Sequence, residues 1–119
     1  MTQALFRRNL AWAAARARED RDFFPRLAAQ DAPDYLWIGC ADSHLPAHDL
    51  TGLVPGELFV HRNLANLAPA QDASFLSVLQ YALEILKVRH VIVCGHYGCG
   101  GVRAAMLNQK LGLINNWLR

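Results

Sequence analysis

The sequence lacks the strong net charge, the cysteine framework and the long apolar runs that identify several large classes of protein. Its formal net charge is only +2, which is too small to indicate a nucleic-acid partner or an anionic membrane surface. The three cysteines are odd in number and lack framework spacing, which argues against a disulfide scaffold and favours a reducing compartment. No apolar run approaches the length of a membrane span. With 119 residues, 53% of them apolar, the chain is expected to form one globular domain with a modest core.

Acidic residues are missing from the first 18 positions, which carry four arginines. That composition loosely resembles an organelle transit peptide. Acids follow at once at positions 19, 20 and 22, which favours an ordinary helical arm in a cytoplasmic protein. Helices are predicted over residues 4–18 and from a cap at Asp22 to about residue 29, with a break before Pro33.

Three short apolar runs predict strands, at residues 35–40, 58–62 and 90–94. The first run is almost continuously apolar, which is typical of a strand buried on both faces of a parallel sheet. Helices are predicted after Pro46, over residues 75–86 with a cap at Asp72 or Ser74, and over residues 102–107. This order indicates an α/β fold with a mainly parallel β-sheet flanked by helices.

Two short motifs carry the chemistry: Cys40-x-Asp42 at the end of the first strand, and His96-x-x-Cys99 just after the third. The carboxyl ends of parallel strands meet at one edge of a sheet, so these residues should lie together. Two thiolates and one imidazole form a three-ligand zinc set, and catalytic zinc sites keep such an open position. Asp42 is close enough to occupy or vacate the fourth position. The alternative is two buried thiols beside a polar loop histidine.

Glycines at 98, 100 and 101 are expected to take positive φ and to let the backbone approach the metal closely. Zinc held this way lowers the pKa of its water to about 7, which supplies hydroxide at neutral pH. Hydroxide in an apolar pocket is a nucleophile for a small electrophile.

The chain resembles the β-class carbonic anhydrases. The likeness rests on CADSH at residues 40–44, HRNLANL at 61–67, CGHYGCGGV at 94–102 and LGLINNWLR at 111–119. It implies zinc ligation by Cys40, His96 and Cys99, with Asp42 as the gating carboxylate that ligates the metal in a closed state. It also implies reversible hydration of carbon dioxide to bicarbonate, a role in carbon utilisation, and a homodimer or homotetramer. On this basis we expect an N-terminal helical arm over residues 1–33 and a zinc-binding α/β domain over residues 34–119.

The sequence departs from the family pattern at three places. His44 stands where the family has an arginine, and a mostly neutral histidine is a weaker partner for Asp42. We therefore expect the closed state to be more populated and the activity reduced, with His44 still assigned to the catalytic group. Family chains are nearly twice as long, so the C-terminal part of the fold is expected to be missing here. The family's glutamine before the first strand aligns with Asp31, next to Gln30.

Two other functions remain open at this point. The same zinc site could hydrolyse carbonyl sulfide or carbon disulfide, or the chain could be a catalytically silent zinc-binding oligomerisation module. Other polar residues have structural interpretations: Cys94 as a buried core thiol, and His61 and His90 as satisfied strand-flanking residues. Arg62 is expected either to anchor a carboxylate such as Asp42 or Glu57 or to lie in the subunit interface.

Overall fold

A computed structural model describes residues 1–30 and 32–119, so Asp31 lies outside the described residues. The chain forms two compact units, residues 1–31 and residues 32–119. The functional division into an arm and a zinc-binding domain stays a prediction. Among the described residues, no helix combines the length and the apolar character needed to cross a bilayer.

The first unit consists of two helices, α1 (Thr2–Glu19) and α2 (Phe23–Ala28). No side chain of either helix is buried. Edge-to-face contacts join Trp12 of α1 to Phe23 and Phe24 of α2, with ring centroids 6.3 Å and 5.9 Å apart. These aromatic contacts join the two helices that the sequence predicts.

The second unit is built on a three-stranded parallel sheet with the strand order β2-β1-β3. Its elements follow the chain in this order: β1 (Tyr35–Cys40), α3 (Ala47–Thr51), β2 (Leu58–Asn63), a 3-10 turn (Leu64–Asn66), α4 (Ala73–Gln80) continued by a π-helical turn (Tyr81–Ile85), β3 (His90–Val93), α5 (Gly100–Met106) and α6 (Leu113–Leu118). The predicted α/β class with a parallel sheet is confirmed.

The central strand, β1, is buried along five of its six residues, as its unbroken apolar run predicts. On one face Leu36 and Ile38 pack against Phe75 of α4. On the other face Trp37 packs against Ala47 of α3. Both layers are therefore anchored on β1, which fixes where this strand ends and hence where Cys40 lies.

Several element boundaries differ from the sequence prediction. The helix predicted over residues 75–86 begins at Ala73, where Asp72 caps it by accepting a hydrogen bond from the Phe75 amide at 2.9 Å, and it ends in the π-helical turn. Helix α5 begins two residues earlier than predicted, at Gly100. Helix α6 was not predicted, because its short mixed sequence lacks a helical apolar period.

Candidate metal centre

The structure brings Cys40, His96 and Cys99 together, with one ligand atom of each within 4.8 Å of the others. Cys40 ends β1, whereas His96 and Cys99 lie on the loop between β3 and α5. The two sulfur atoms are 3.6 Å apart, and both cysteines are buried. The cluster forms where the carboxyl ends of two adjacent parallel strands meet, as the topology requires.

The His96 ring is oriented to present one nitrogen lone pair. Its Nδ1 lies 3.0 Å from the carbonyl oxygen of Tyr97. A carbonyl oxygen only accepts, so Nδ1 carries a proton, and in the neutral ring Nε2 then keeps its lone pair. That Nε2 is buried without a hydrogen-bond partner among the described residues. An orphaned acceptor beside two thiols is the arrangement that a metal ion would satisfy.

Backbone amides surround the two sulfur atoms. The amides of Asp42 and Ala65 donate to Cys40 Sγ at 3.3 Å and 3.1 Å, and the amide of Val102 donates to Cys99 Sγ at 3.5 Å. Burial raises the pKa of the Cys40 thiol, but the Asp42 amide, the His96 side chain, the Ala65 amide and Cys99 together bring that pKa down to about 7. The neighbouring Cys40 sulfur in turn raises the pKa of His96. The thiolate, which is the ligand form, is thus favoured near neutral pH.

This donor set fits zinc. Two sulfurs and one imidazole nitrogen are ligands that zinc prefers, and three protein ligands leave one tetrahedral position open. Asp42 is not a member of the three-residue cluster; its Oδ2 instead accepts the Gly100 amide at 2.8 Å. The carboxylate is thereby held at the start of α5, next to Cys99.

Neighbouring residues take positions that the sequence did not reveal. Arg62 Nη2 donates to the carbonyl oxygens of Cys40 at 2.7 Å and Ser43 at 2.6 Å, and among residues 1–30 and 32–119 it has no carboxylate partner. Of the two interpretations of Arg62, the carboxylate anchor is not found in this part of the structure, because carbonyl oxygens at the end of β1 lie within its reach, and the subunit interface stays a prediction. His44 is exposed and makes no hydrogen bond with Asp42 in the part of the chain that the structure describes.

Of the three glycines expected at positive φ, only Gly98 takes it, with a φ of 69°. Gly100 and Gly101 are instead the first two residues of α5. Gly101 is needed for close packing, since a Cβ there would lie 3.0 Å from Ala65 Cβ and from Leu64 Cγ. The close approach that Gly101 permits is therefore between α5 and the segment that carries Leu64 and Ala65.

Other polar residues have structural surroundings. His61 Nε2 lies 3.2 Å from Asn63 Nδ2, and the His90 ring stacks on Tyr35 with centroids 5.3 Å apart. Cys94 is half-buried, which is less than the full burial expected of it. Tyr97 is fully exposed although it lies between two cluster residues.

Two open clefts flank the loop that carries His96. One has a volume of about 570 Å³ and is bounded by Cys99 and the apolar side of α5; the other has a volume of about 620 Å³ and is bounded by Asp42 and His44. Both reach His96, so a small molecule can approach the cluster from either side. Sequence reasoning missed Asn63 and Ala65 as site residues. The signal that could have found them is their place in the HRNLANL motif, where Asn63 ends β2 and Ala65 lies in the turn that follows.

Comparisons with known proteins agree with this geometry. A family model described as carbonic anhydrase matches residues 35–119. A carbonic anhydrase of Emericella nidulans is 52% identical over 115 residues, covering 97% of this chain and 50% of that protein. A tetrameric β-carbonic anhydrase of Sordaria macrospora superposes with a TM-score of 0.90 at 41% identity, covering 98% of this chain and 60% of the other. The β-carbonic anhydrase CafA of Aspergillus fumigatus superposes with a TM-score of 0.89 at 43% identity, covering 98% and 56%.

The chain spans about half the length of the E. nidulans protein. The family match nevertheless includes all three strands and all three cluster residues. By its fold and by this match, the chain belongs to the β-class carbonic anhydrase family.

Proposed function

We propose that this chain forms the zinc centre of an enzyme that reversibly hydrates carbon dioxide to bicarbonate and a proton. The observation that carries the proposal is the cluster of Cys40, His96 and Cys99 within 4.8 Å, with the His96 Nε2 buried and unpartnered. Membership of the carbonic anhydrase family supports the choice of reaction. The carbonyl sulfide reaction and the silent module lack this support.

The cluster residues would hold the metal through Cys40 Sγ, Cys99 Sγ and His96 Nε2. When bound, zinc supplies the Lewis acidity that makes a water molecule acidic near neutral pH. The amides of Asp42 and Ala65 stabilise the Cys40 thiolate by donating to it. The carbonyl of Tyr97 keeps the His96 ring in the tautomer that leaves Nε2 free.

Asp42 is proposed as the catalytic carboxylate. The Gly100 amide holds one of its oxygens at 2.8 Å, which leaves the other oxygen free to accept a proton from a water molecule at the centre. In a closed state the same carboxylate would take the fourth ligand position. His44 is assigned to tune the balance between these two states, because it bounds the same cleft as Asp42.

We further propose a homodimer or homotetramer in the cytoplasm. Exposed apolar side chains beside the first cleft support an oligomer: Tyr97, Val102, Met106 and Leu107. The S. macrospora relative is described as tetrameric. Three free cysteines support a reducing compartment. Sedimentation velocity and the location of a fluorescent fusion would test the two assignments.

The test of the function is stopped-flow carbon dioxide hydration on protein of measured zinc content, from about pH 6.5 to about pH 9. We expect a zinc-dependent rate that rises with pH. Cys99→Ser should lose both zinc and rate. Cys94→Ser is the matched control and should keep both, because Cys94 lies outside the cluster. A rate at the buffer background with one zinc bound per chain would refute the enzymatic proposal.

A further inference from the structure

A turn directly after β2 carries the backbone amide that reaches Cys40. We call residues 63–67 the ligand turn. Ala65, within it, is buried and donates its amide to Cys40 Sγ at 3.1 Å. The turn begins at Asn63, which is paired with Cys40 in the sheet and whose carbonyl accepts the Ala41 amide at 2.8 Å. The ligand turn therefore starts beside one cysteine of the cluster and returns to its sulfur.

The backbone of the ligand turn is held in a conformation that side chains with a Cβ disfavour. Ala65 has a φ of 69° and Asn66 a φ of 46°, both in the left-handed region. Residues other than glycine stay in this region only where the surrounding structure over-determines them. Two consecutive examples require a specific constraint on the turn.

The side chain of Asn63 supplies that constraint. Its Oδ1 accepts the Leu67 amide at 2.7 Å, and its Nδ2 donates to the Leu67 carbonyl at 2.7 Å. The second Nδ2 hydrogen points to His61 Nε2, 3.2 Å away. An amide N–H only donates and a carbonyl only accepts, so these contacts fix which Asn63 atom is oxygen and which is nitrogen. Every polar hydrogen of this amide is used, and both backbone groups of Leu67 are tied to it.

We propose that Asn63 is a positioning residue of the metal centre. By joining the two ends of the ligand turn, it aims the Ala65 amide at the Cys40 sulfur and so stabilises this sulfur as a thiolate ligand. The inference rests on the proposed function in that it takes the cluster to hold zinc. Groups that orient metal ligands from outside commonly change metal affinity by about 10- to 100-fold when they are removed.

The chain offers a matched control in Asn115. Its Oδ1 accepts the Leu111 amide at 2.6 Å, and its Nδ2 donates to the Gln109 carbonyl, so it also bridges two backbone groups of one loop. Asn115 lies on α6 and is not part of the cluster. Asn63→Ala and Asn115→Ala thus remove the same kind of bridge, and only the first acts on Cys40.

The experiment measures zinc affinity on the full chain by competition with a chelating dye, together with the cobalt(II) absorption spectrum. For Asn63→Ala we expect the zinc dissociation constant to rise by about tenfold or more and the sulfur-to-cobalt charge-transfer band to shift. For Asn115→Ala both readouts should match the wild type. Wild-type affinity and spectrum in a folded Asn63→Ala protein would overturn the proposal.

Two additions keep the test decisive. If Asn63→Ala does not fold, Asn63→Asp keeps the acceptor for the Leu67 amide and loses the donor, and it should show a smaller rise in the same constant. Hydrogen exchange of the Ala65 amide in metal-free protein separates this inference from the proposed function. If the wild type binds no zinc but the Ala65 amide exchanges faster in Asn63→Ala than in the wild type, the proposed function is refuted and the positioning role is supported. Equal protection of the Ala65 amide in both proteins overturns the positioning role.

Discussion

Replacing Gly101 by alanine tests whether close packing between α5 and the ligand turn positions the metal centre. Two opposing effects decide the result. Alanine in place of a helical glycine lowers the entropy cost of folding and stabilises by about 0.5–1 kcal/mol. The added methyl group, however, would lie 3.0 Å from both Ala65 Cβ and Leu64 Cγ, and 3.3 Å from Leu64 Cδ1. Carbon atoms at their optimal separation are about 3.5–4.0 Å apart.

The steric effect should win, because Ala65 cannot move its Cβ without moving the backbone that donates to Cys40. Overpacking of this kind costs about 1–3 kcal/mol. The net loss for Gly101→Ala is then about 1 kcal/mol, which corresponds to a fall in melting temperature of about 4 °C for a domain of this size. Zinc affinity should fall as well, since the ligand turn is displaced.

The matched control is Gly100→Ala, one residue earlier in the same helix. A Cβ at Gly100 meets only the Oδ2 and Cγ atoms of the Asp42 side chain, the nearer at 3.3 Å, and this side chain can shift. We expect Gly100→Ala to be neutral or to gain up to about 1 kcal/mol. Urea unfolding at matched metal content gives both free energies. A Gly101→Ala protein as stable as Gly100→Ala would refute the packing argument.

Three further predictions concern other parts of the chain. His44→Arg should raise the hydration rate, because an arginine fork offers the Asp42 carboxylate more hydrogen-bond donors than a histidine ring does; an unchanged rate at equal zinc content would contradict this. The hydrogen bond from Arg89 holds the pKa of Asp34 below its ordinary value, so the pair stabilises the fold above about pH 4 and this contribution is lost as pH falls through the lowered pKa. Asp34→Asn should therefore lower the melting temperature at pH 7 and leave it nearly unchanged at the lowest pH that the protein tolerates. Leu36→Ala removes a fully buried side chain and should cost about 3 kcal/mol in urea unfolding.

The sheet could be predicted because its signal is local. The run from Tyr35 to Cys40 is apolar without alternation, and only a strand covered on both faces is stabilised by such a run. The position of the cluster followed from the same inference, since the ends of adjacent parallel strands coincide. Cys40 and Cys99 are separated by 59 positions in the chain. Their proximity could still be predicted, because it follows from the topology of the sheet.

The boundaries of the elements and the roles of the glycines were harder to predict, because they depend on packing contacts that cannot be identified from the sequence. The apolar stripe beyond Tyr81 continues with helical spacing, but the backbone changes to a π-helical turn, in which the Leu86 amide donates to the Tyr81 carbonyl at 3.0 Å. Periodicity cannot distinguish these hydrogen-bond patterns over five residues. Gly101 likewise reads as a flexible position, and only the approach of Ala65 shows that it is a steric one.

The partners of the residues around the cluster could not be predicted from the sequence, because these partners are backbone groups. A charge pattern suggests that Arg62 seeks a carboxylate, but it binds the carbonyls of Cys40 and Ser43. The resemblance to the family implies that residue 44 is a partner of Asp42, and the structure adds the Gly100 amide as a donor to that carboxylate. Every residue except proline offers a backbone donor, so no residue type marks these contacts in a sequence. It follows that the start of α5 orients Asp42, and that the geometry around Cys40, His96 and Cys99 depends on the segment after β2 and on α5 as well as on the strand ends.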